Sequence, residues 1–379
     1  MTTSVSTPTA QDKICRAHAP GKIILSGEHS VVYGAPALCV AVAQYTEVWF
    51  EPVHRSKGLR TAFDQISQGQ FYPLDLIKGF AKELDYRFDQ FSNGKLPVQK
   101  ILQRPDDLII YTMASLLQNL PFPGTTSSHK LPMPGLLRSR SELPLGSWMG
   151  SSAAAIAATF MLYEQLLNHS QTLSERFDRV RFCERLQHGS GGVIDAAAVV
   201  YGGVNRADSG SVSKPSLPET HDLWHGRGWY WVLHGIPQSS TGECVASVRQ
   251  SFSHDQALWQ AFRECTEAFQ TQLEASMDPS EAIKENHRLL QRIGVVPAAA
   301  ARFIDAVEQD GGAAKICGAG SIRGDYGGII LVKIPSYEVM DNLMKKYPDR
   351  RWKRLQIAST GAASGAAPIS ASNADEVSR

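Results

Sequence analysis

The chain has 379 residues, of which 43% are hydrophobic and 20% charged, so it can form two domains with a large core. Its 38 Lys and Arg residues nearly balance its 37 Asp and Glu residues, which excludes a globally basic nucleic-acid-binding surface. No apolar run approaches the roughly 20 residues of a membrane span, and residues 1–12 lack the apolar core of a signal peptide. We therefore expect a cytoplasmic protein with no membrane or nucleic-acid partner.

The six cysteines are scattered along the chain and form no CxxC pair. Their spacing indicates neither a zinc site nor a disulfide framework.

The first predicted elements are strands whose turns carry charged residues. Residues 15–19 start a strand, and a Pro-Gly turn then places Lys22 at the head of a short apolar strand. A second turn, flanked by glycines, carries Glu28 and His29. Helical spacing predicts helices within residues 74–84 and 108–120, and residues 131–142 resemble an edge strand.

Residues 144–157 form the stretch most typical of an anion site. Turn formers and two glycines lead to Ser151 and Ser152, and an alanine-rich run with high helix propensity follows. The first N–H groups of such a helix lack internal partners, and the helix dipole there favours negative charge. The glycines admit a bulky anion, and the serine hydroxyls can cap the helix, contact phosphate or hold Mg²⁺. No Lys precedes the serines, so this is not a Walker loop, and an ordinary capped helix is the alternative.

The second half of the chain alternates strands with long helical patterns. A helix over residues 174–187 ends at a glycine-rich turn before Asp195, and polar residues 206–225 suggest an inter-domain link. A strand covers residues 228–235, and helical patterns fill residues 244–275, 279–290 and 296–306. Residues 315–332 form a strand, a glycine loop and another strand.

Three glycine-bearing loops together resemble the GHMP kinase superfamily, most closely its mevalonate kinases. The strings are Ala-Pro-Gly-Lys and Ser-Gly-Glu-His-Ser-Val-Val-Tyr-Gly within residues 19–34, Gly-Ser-Ser-Ala-Ala from Gly150, and Lys-Ile-Cys-Gly-Ala-Gly from Lys315. Glu184 followed by His188-Gly189 and Asp195 also fits. The matches are distributed over nearly the whole chain, apart from its two terminal segments.

The resemblance implies an α+β, two-domain GHMP kinase fold. An N-terminal domain like ribosomal protein S5 domain 2, with a left-handed βαβ unit, would bind nucleotide over residues 14–225. A ferredoxin-like domain would follow over residues 226–358. Residues 1–13 and the Ala/Ser-rich tail 359–379 are expected to be disordered.

The resemblance also implies ATP- and Mg²⁺-dependent phosphorylation of the 5-hydroxyl of mevalonate, or of a similar small hydroxy acid, by direct in-line transfer, with a homodimer allowed. Alternatives are phosphomevalonate kinase, another small-alcohol kinase of the superfamily, or a GHMP fold that only binds a ligand. Asp195 would deprotonate the acceptor hydroxyl, and Lys22 would lower the charge on Asp195 and the γ-phosphate. The implied ATP-binding residues are Lys22, Ser141, Gly146, Ser147, Trp148, Met149, Gly150, Ser151 and Ser152; the metal ligands are Ser152 and Glu184; the substrate-binding residues are Glu28, His29, Asp195, Thr241, Gly318 and Ala319.

Structural interpretations stay open for several of these residues. Asp195 could be a helix N-cap, Lys22 a solvated lysine, and Glu184 an exposed helix carboxylate. His29 could be a hydrogen-bonded turn histidine, and the loop at Gly318 a plain β-turn.

The chain also departs from the superfamily pattern at several positions. Trp148 replaces the first glycine of the usual Gly-Leu-Gly-Ser-Ser, so the indole is expected to narrow the nucleotide pocket or stack on the base. Gly242 stands where the superfamily often has an arginine after the threonine. Arg323 is a basic residue that the superfamily pattern lacks, and it could reach an anionic substrate or pair with Asp325.

Overall fold

The computed structural model describes residues 14–53, 55–64, 66–119, 134–208 and 210–368. The disorder expected over residues 1–13 and 369–379 lies outside the described residues, as do residues 120–133. Within the described residues, no helix is long and apolar enough to cross a membrane. All six cysteines are described, and no disulfide links them.

The first part of the chain forms a mixed α/β unit. Its strands are β1 (Cys15–Ser26), β2 (Ala37–Pro52), β3 (Gly58–Phe63), β4 (Ser67–Pro73), β5 (Gly135–Ser141), β6 (Val204–Asp208) and β7 (Ser211–Ser213). Its helices are α1 (Ile77–Ser92), α2 (Asp107–Asn119), α3 (Ser151–Leu166), α4 (Leu173–His188), α5 (Val193–Tyr201) and α6 (Asp222–His225).

The long strand β2 organises the first sheet. It pairs with β1 along most of its length, with β6 through its first four residues and with β5 through its second half. The predicted turn at Pro20-Gly21 is a β-bulge inside the continuous strand β1. A Cβ at Gly21 would lie 2.4 Å from Leu143 Cδ2 and 3.0 Å from Met149 O, so glycine allows the strand to pass close to the segment between β5 and α3.

One prediction for this unit was wrong, and one hairpin was missed. β5 is not an edge strand, because it lies between β2 and β3, antiparallel to the former and parallel to the latter. The hairpin of β3 and β4 was missed, since each of these short strands carries only two large apolar residues.

The second part of the chain forms a four-stranded antiparallel sheet covered by helices. Its elements are β8 (Trp229–Gly235), α7 (Thr241–Phe252), α8 (Gln256–Glu274), α9 (Ser280–Arg292), α10 (Ala298–Gln309), β9 (Ala313–Cys317), β10 (Gly328–Lys333), α11 (Tyr337–Met344) and β11 (Arg351–Arg354). The order β11-β8-β10-β9 is that of a ferredoxin-like sheet, which confirms the expected α+β architecture. The domain boundary at residue 225 stays a prediction.

The chain then returns to the first sheet. β12 (Ala363–Ser364) pairs with β1, and the backbone N–H of Ala358 donates to Ala41 O at 3.0 Å. The prediction that the tail is disordered from residue 359 was therefore wrong as far as residue 368. Small residues fit here because a Cβ at Gly361 would clash with the backbone of α5.

The core positions the site through helix α3. Most of its alanines are buried, and the helix packs on β1 and β2. The start of this helix therefore lies beside β1. Small side chains allow helix and sheet to approach closely.

Candidate active site

The start of α3 is an open anion-binding terminus. Gly150 is the N-cap in the left-handed region (φ 72°, ψ 31°), and no side chain caps the helix. Its first N–H groups are thus available to an anion, and the dipole of a 16-residue helix favours negative charge there. A Cβ at Gly150 would lie 2.9 Å from Lys22 Cγ and 3.2 Å from Asp195 Oδ1, so the loop approaches both groups closely.

Lys22 and Asp195 meet beside this terminus. Strand β1 carries Lys22, whose backbone N–H donates to Met149 O at 2.8 Å, and Asp195 lies in the first turn of α5. The Lys22 Nζ–Asp195 Oδ1 distance is 2.9 Å, and the side chains are 5% and 26% exposed. Lys22 is therefore not a solvated lysine, and Asp195 is not an N-cap, because Gly192 occupies that position.

Glu184 of α4 lies buried next to Ser152. The nearby Ser152 hydroxyl lowers the pKa of this carboxylate, whose Oε2 lies 3.5 Å from His188 Nε2. Burial raises the pKa of Glu184, and the neighbouring His188 opposes that rise. Oε1 of Glu184 has no hydrogen-bond partner among the described residues. Glu184 is thus not an exposed helix carboxylate, and it has an oxygen left for a cation.

This donor set fits a magnesium ion held partly by phosphate. The described residues contain no cluster of three or more His, Cys, Asp or Glu side chains able to hold a metal by themselves. Mg²⁺ is commonly bound by one or two carboxylates, water and substrate phosphates. A hydroxyl and a buried carboxylate at a helix terminus meet that requirement.

Glu28 and His29 form a second, buried group of polar residues. They lie in the wall of the same cavity as Lys22 and Asp195. Glu28 makes an ion pair with Lys315, which is fully buried on β9, and His29 Nε2 lies 3.1 Å from Ala319 O. Burial raises the pKa of Glu28, whereas Lys315 counteracts this shift. Burial lowers the pKa of His29 to about 4, so this imidazole is neutral near pH 7. Its contact with Ala319 agrees with the turn-histidine interpretation, although the residue also lines the cavity.

Helix α7 supplies another part of the cavity wall. Its first residue is Thr241, and Val245 and Arg249 follow on the same face at successive i, i+4 spacings. Ser240 and Glu243 form a capping box that fixes where the helix starts. An arginine is thus placed at the cavity on a rigid element.

These groups surround one cavity of about 640 Å³. It is lined by the following predicted site residues: Lys22, Glu28, His29, Ser141, Gly146, Trp148, Gly150, Ser151, Ser152, Glu184, Asp195, Thr241, Gly318 and Ala319. The loops that sequence analysis singled out therefore converge on a single space.

Ser147 and Met149 differ from the other predicted ATP-binding residues because their side chains do not line the cavity. Ser147 is buried and its hydroxyl donates to Pro144 O at 2.6 Å, which stabilises the turn. Met149 is buried in the hydrophobic core. Trp148, which lies between them, lines the cavity.

Arg323 does not reach the cavity. It makes an ion pair with Glu243 of α7 rather than with Asp325 or a substrate anion. The reason is its position in an exposed part of the glycine loop, where its side chain is 59% exposed.

Arg249 and Lys315 were missed as site residues. Arg249 could have been found from the helical spacing that starts at Thr241, once Ser240 and Glu243 were read as a capping box. Lys315 gave no such signal, because only the fold brings β9 next to Glu28.

Comparison with known proteins agrees with this arrangement. The family described as "GHMP kinases N terminal domain" matches residues 109–203. The mevalonate kinase of Pyrococcus furiosus is 25% identical over 329 residues, covering 80% of this chain and 86% of that protein. The Arabidopsis thaliana mevalonate kinase is 25% identical over 372 residues, covering 87% and 93%. The crystal structure of the Methanococcus jannaschii mevalonate kinase has a TM-score of 0.71 at 17% identity, covering 93% of this chain and 100% of that one, so the fold is shared.

Proposed function

We propose that this chain, which belongs to the GHMP kinase superfamily, transfers the γ-phosphoryl group of ATP to the 5-hydroxyl of mevalonate. The observation that carries the proposal is the Lys22–Asp195 pair at 2.9 Å, held beside the open start of α3 in one cavity. The names of the relatives support the choice of acceptor.

Asp195 and Lys22 have complementary tasks in this proposal. Asp195, partly exposed to the cavity, accepts the proton of the acceptor hydroxyl as that oxygen attacks the γ-phosphorus. The buried ammonium of Lys22 forms an ion pair with the Asp195 carboxylate and offsets negative charge developing on the transferred group. Transfer is direct and in line, and ADP leaves from the start of α3.

The nucleotide phosphates occupy the phosphate loop, residues 146–152, with the first N–H groups of α3 as donors. Ser152 and Glu184 would hold Mg²⁺, which would supply positive charge to offset that of the phosphate groups. The unpartnered Oε1 of Glu184 supports this assignment.

The acceptor lies between Asp195 and the wall formed by Thr241 and Ala319. Its carboxylate needs a cation, and Lys22 is already paired with Asp195. Arg249 lines the cavity and makes no ion pair with another described side chain, so we assign it to the acceptor carboxylate. An acceptor that also carried phosphate would need further cations, and Arg323, the added base, is held outside by Glu243. This favours a non-phosphorylated acid over phosphomevalonate.

A coupled ADP-release assay with mevalonate, phosphomevalonate, homoserine, galactose and no acceptor tests the proposal. We expect ADP release that depends on mevalonate and Mg²⁺ and is much slower with the other compounds. Faster release with phosphomevalonate or a sugar would reassign the acceptor. Nucleotide binding without ADP release for any acceptor would support a ligand-binding role and refute the kinase.

A further inference from the structure

Trp148 adopts a backbone conformation that side chains rarely take. Its φ is 69°, in the left-handed region where glycine is favoured, and such residues persist only where surrounding contacts impose the conformation. It lies inside the phosphate loop, and its indole lines the cavity. The surrounding contacts should therefore explain why a tryptophan is held there.

Those contacts come from the C-terminal glycine loop, residues 318–328. A Cβ at Gly318 would lie 2.5 Å from Trp148 Cβ and 2.9 Å from its Cγ, and all three atoms nearest to that position belong to Trp148. A Cβ at Gly328 would lie 2.7 Å from Trp148 Cδ1. The indole thus packs directly on two glycine backbones, where no other residue would leave space for it.

The rest of the phosphate loop is held by the same part of the molecule. Ile236 Cγ2 would lie 3.4 Å from a Cβ at Gly146, and Ser147 O lies near Gly328. The residue after Gly318 is Ala319, whose carbonyl oxygen contacts His29. A continuous set of contacts therefore links the predicted nucleotide side of the cavity to the predicted acceptor side.

We propose that Trp148 is a positioning residue that holds the phosphate loop against the C-terminal glycine loop and so sets the separation between nucleotide and acceptor. The expected effect of this contact on turnover rests on the proposed kinase function. The expected effect on the packing of the two loops does not depend on that function. Misplacement of reacting groups by about 1 Å can reduce turnover about a hundredfold, so the contact has a measurable kinetic effect.

The kinetic test compares Trp148→Gly with Trp148→Phe. Glycine adopts the φ of residue 148 without strain, so any loss in Trp148→Gly reflects the missing ring rather than a distorted loop. We expect kcat to fall between about tenfold and about a hundredfold. The Kd of a non-hydrolysable ATP analogue should change by less than about threefold, because the N–H groups of α3 remain. Trp148→Phe, which keeps a ring over Gly318, should recover most of the turnover.

The packing test is a double-mutant cycle on unfolding midpoints with Gly318→Ala and Trp148→Gly. The cost of placing alanine at φ +86° is the same in both backgrounds and cancels. Gly318→Ala should lower the midpoint strongly in the wild type and much less beside Trp148→Gly, where the ring that would clash is absent.

Additive midpoints would overturn the packing, and an unchanged kcat in Trp148→Gly would overturn the positioning role. A wild-type protein that releases no ADP with any acceptor would refute the proposed function. The cycle would still decide whether Trp148 holds the two loops together.

Discussion

The buried ammonium of Lys315 on β9 makes an ion pair with Glu28, which follows the end of β1, and also donates to Ile24 O at 3.2 Å. Both side chains are almost fully excluded from water, at 0% and 1% exposure. This pair joins the two sheets directly behind the cavity and fixes the turn that carries His29.

Removing one partner of this pair should be costly. Lys315→Met would leave the Glu28 carboxylate buried without its counter-ion, and we expect the free energy of unfolding to fall by about 3–5 kcal/mol. Urea titration measures this loss. The double variant Glu28→Gln with Lys315→Met should recover part of it, since no unpaired charge remains.

Lys345→Met is the matched control, because the Lys345–Asp341 pair is exposed (67% and 27%) and should contribute at most about 1 kcal/mol. Equal losses for Lys315→Met and Lys345→Met would contradict the account of the buried pair.

Ser152 and Glu184 should govern the requirement for magnesium. Glu184→Gln keeps the shape of the side chain and removes its charge, so a weaker cation site should need more Mg²⁺ for half-maximal activity. Ser152→Ala should act in the same direction with a smaller effect. Activity measured across a Mg²⁺ titration tests both. Glu281→Gln, on the exposed face of α9, serves as the control, and a Glu184→Gln curve that overlays it would exclude Glu184 as a ligand.

Arg249 should determine the affinity for the acid. A hydrogen bond to a charged group contributes about 1.5–3 kcal/mol, so Arg249→Gln should raise KM for the acceptor by about tenfold to a hundredfold while KM for ATP changes little. Arg323→Gln removes a similar charge that lies outside the cavity, and it should leave both constants nearly unchanged. A rise confined to the KM of ATP would instead place Arg249 at the nucleotide.

Three buried histidines should make the protein less stable in mild acid. Burial lowers the pKa of His29, His234 and His287 to about 4, below the ordinary value of 6.5. Between these values the unfolded chain binds more protons, so the free energy of unfolding rises with pH by up to about 1.4 kcal/mol per pH unit for each group. The stabilisation is complete above pH 6.5 and is lost as the pH falls towards 4.

Urea titrations at pH 5 and pH 7 measure this dependence. His287→Leu removes one of these groups and should make the slope smaller. A slope for His287→Leu equal to that of the wild type would contradict a buried, neutral His287.

Much of the site was predictable because its residues lie in local patterns. Gly150 with the serines and alanines after it encodes a helix start, and that helix begins at Ser151 as expected. The convergence of Lys22, Glu184 and Asp195 came from the resemblance to a superfamily, since no local spacing relates β1, α4 and α5. The structure places all three on one cavity.

What sequence analysis missed depends on contacts between distant segments. Small, polar residues after residue 359 look disordered, yet the backbone there completes the edge of the first sheet. Short strands such as β3 carry too few apolar residues for periodicity to reveal them. The packing of Trp148 on Gly318 and Gly328 joins residues from opposite halves of the chain, so the sequence indicated the departure from the superfamily but not its cause.

The central claim is that Asp195 activates the hydroxyl of mevalonate beside the ammonium of Lys22. ADP release with mevalonate, measured for the wild type and for Asp195→Asn at matched unfolding midpoints, tests it most directly. We predict mevalonate-dependent release by the wild type and a rate at least about 10²-fold lower for Asp195→Asn. A rate for Asp195→Asn equal to that of the wild type would contradict the account.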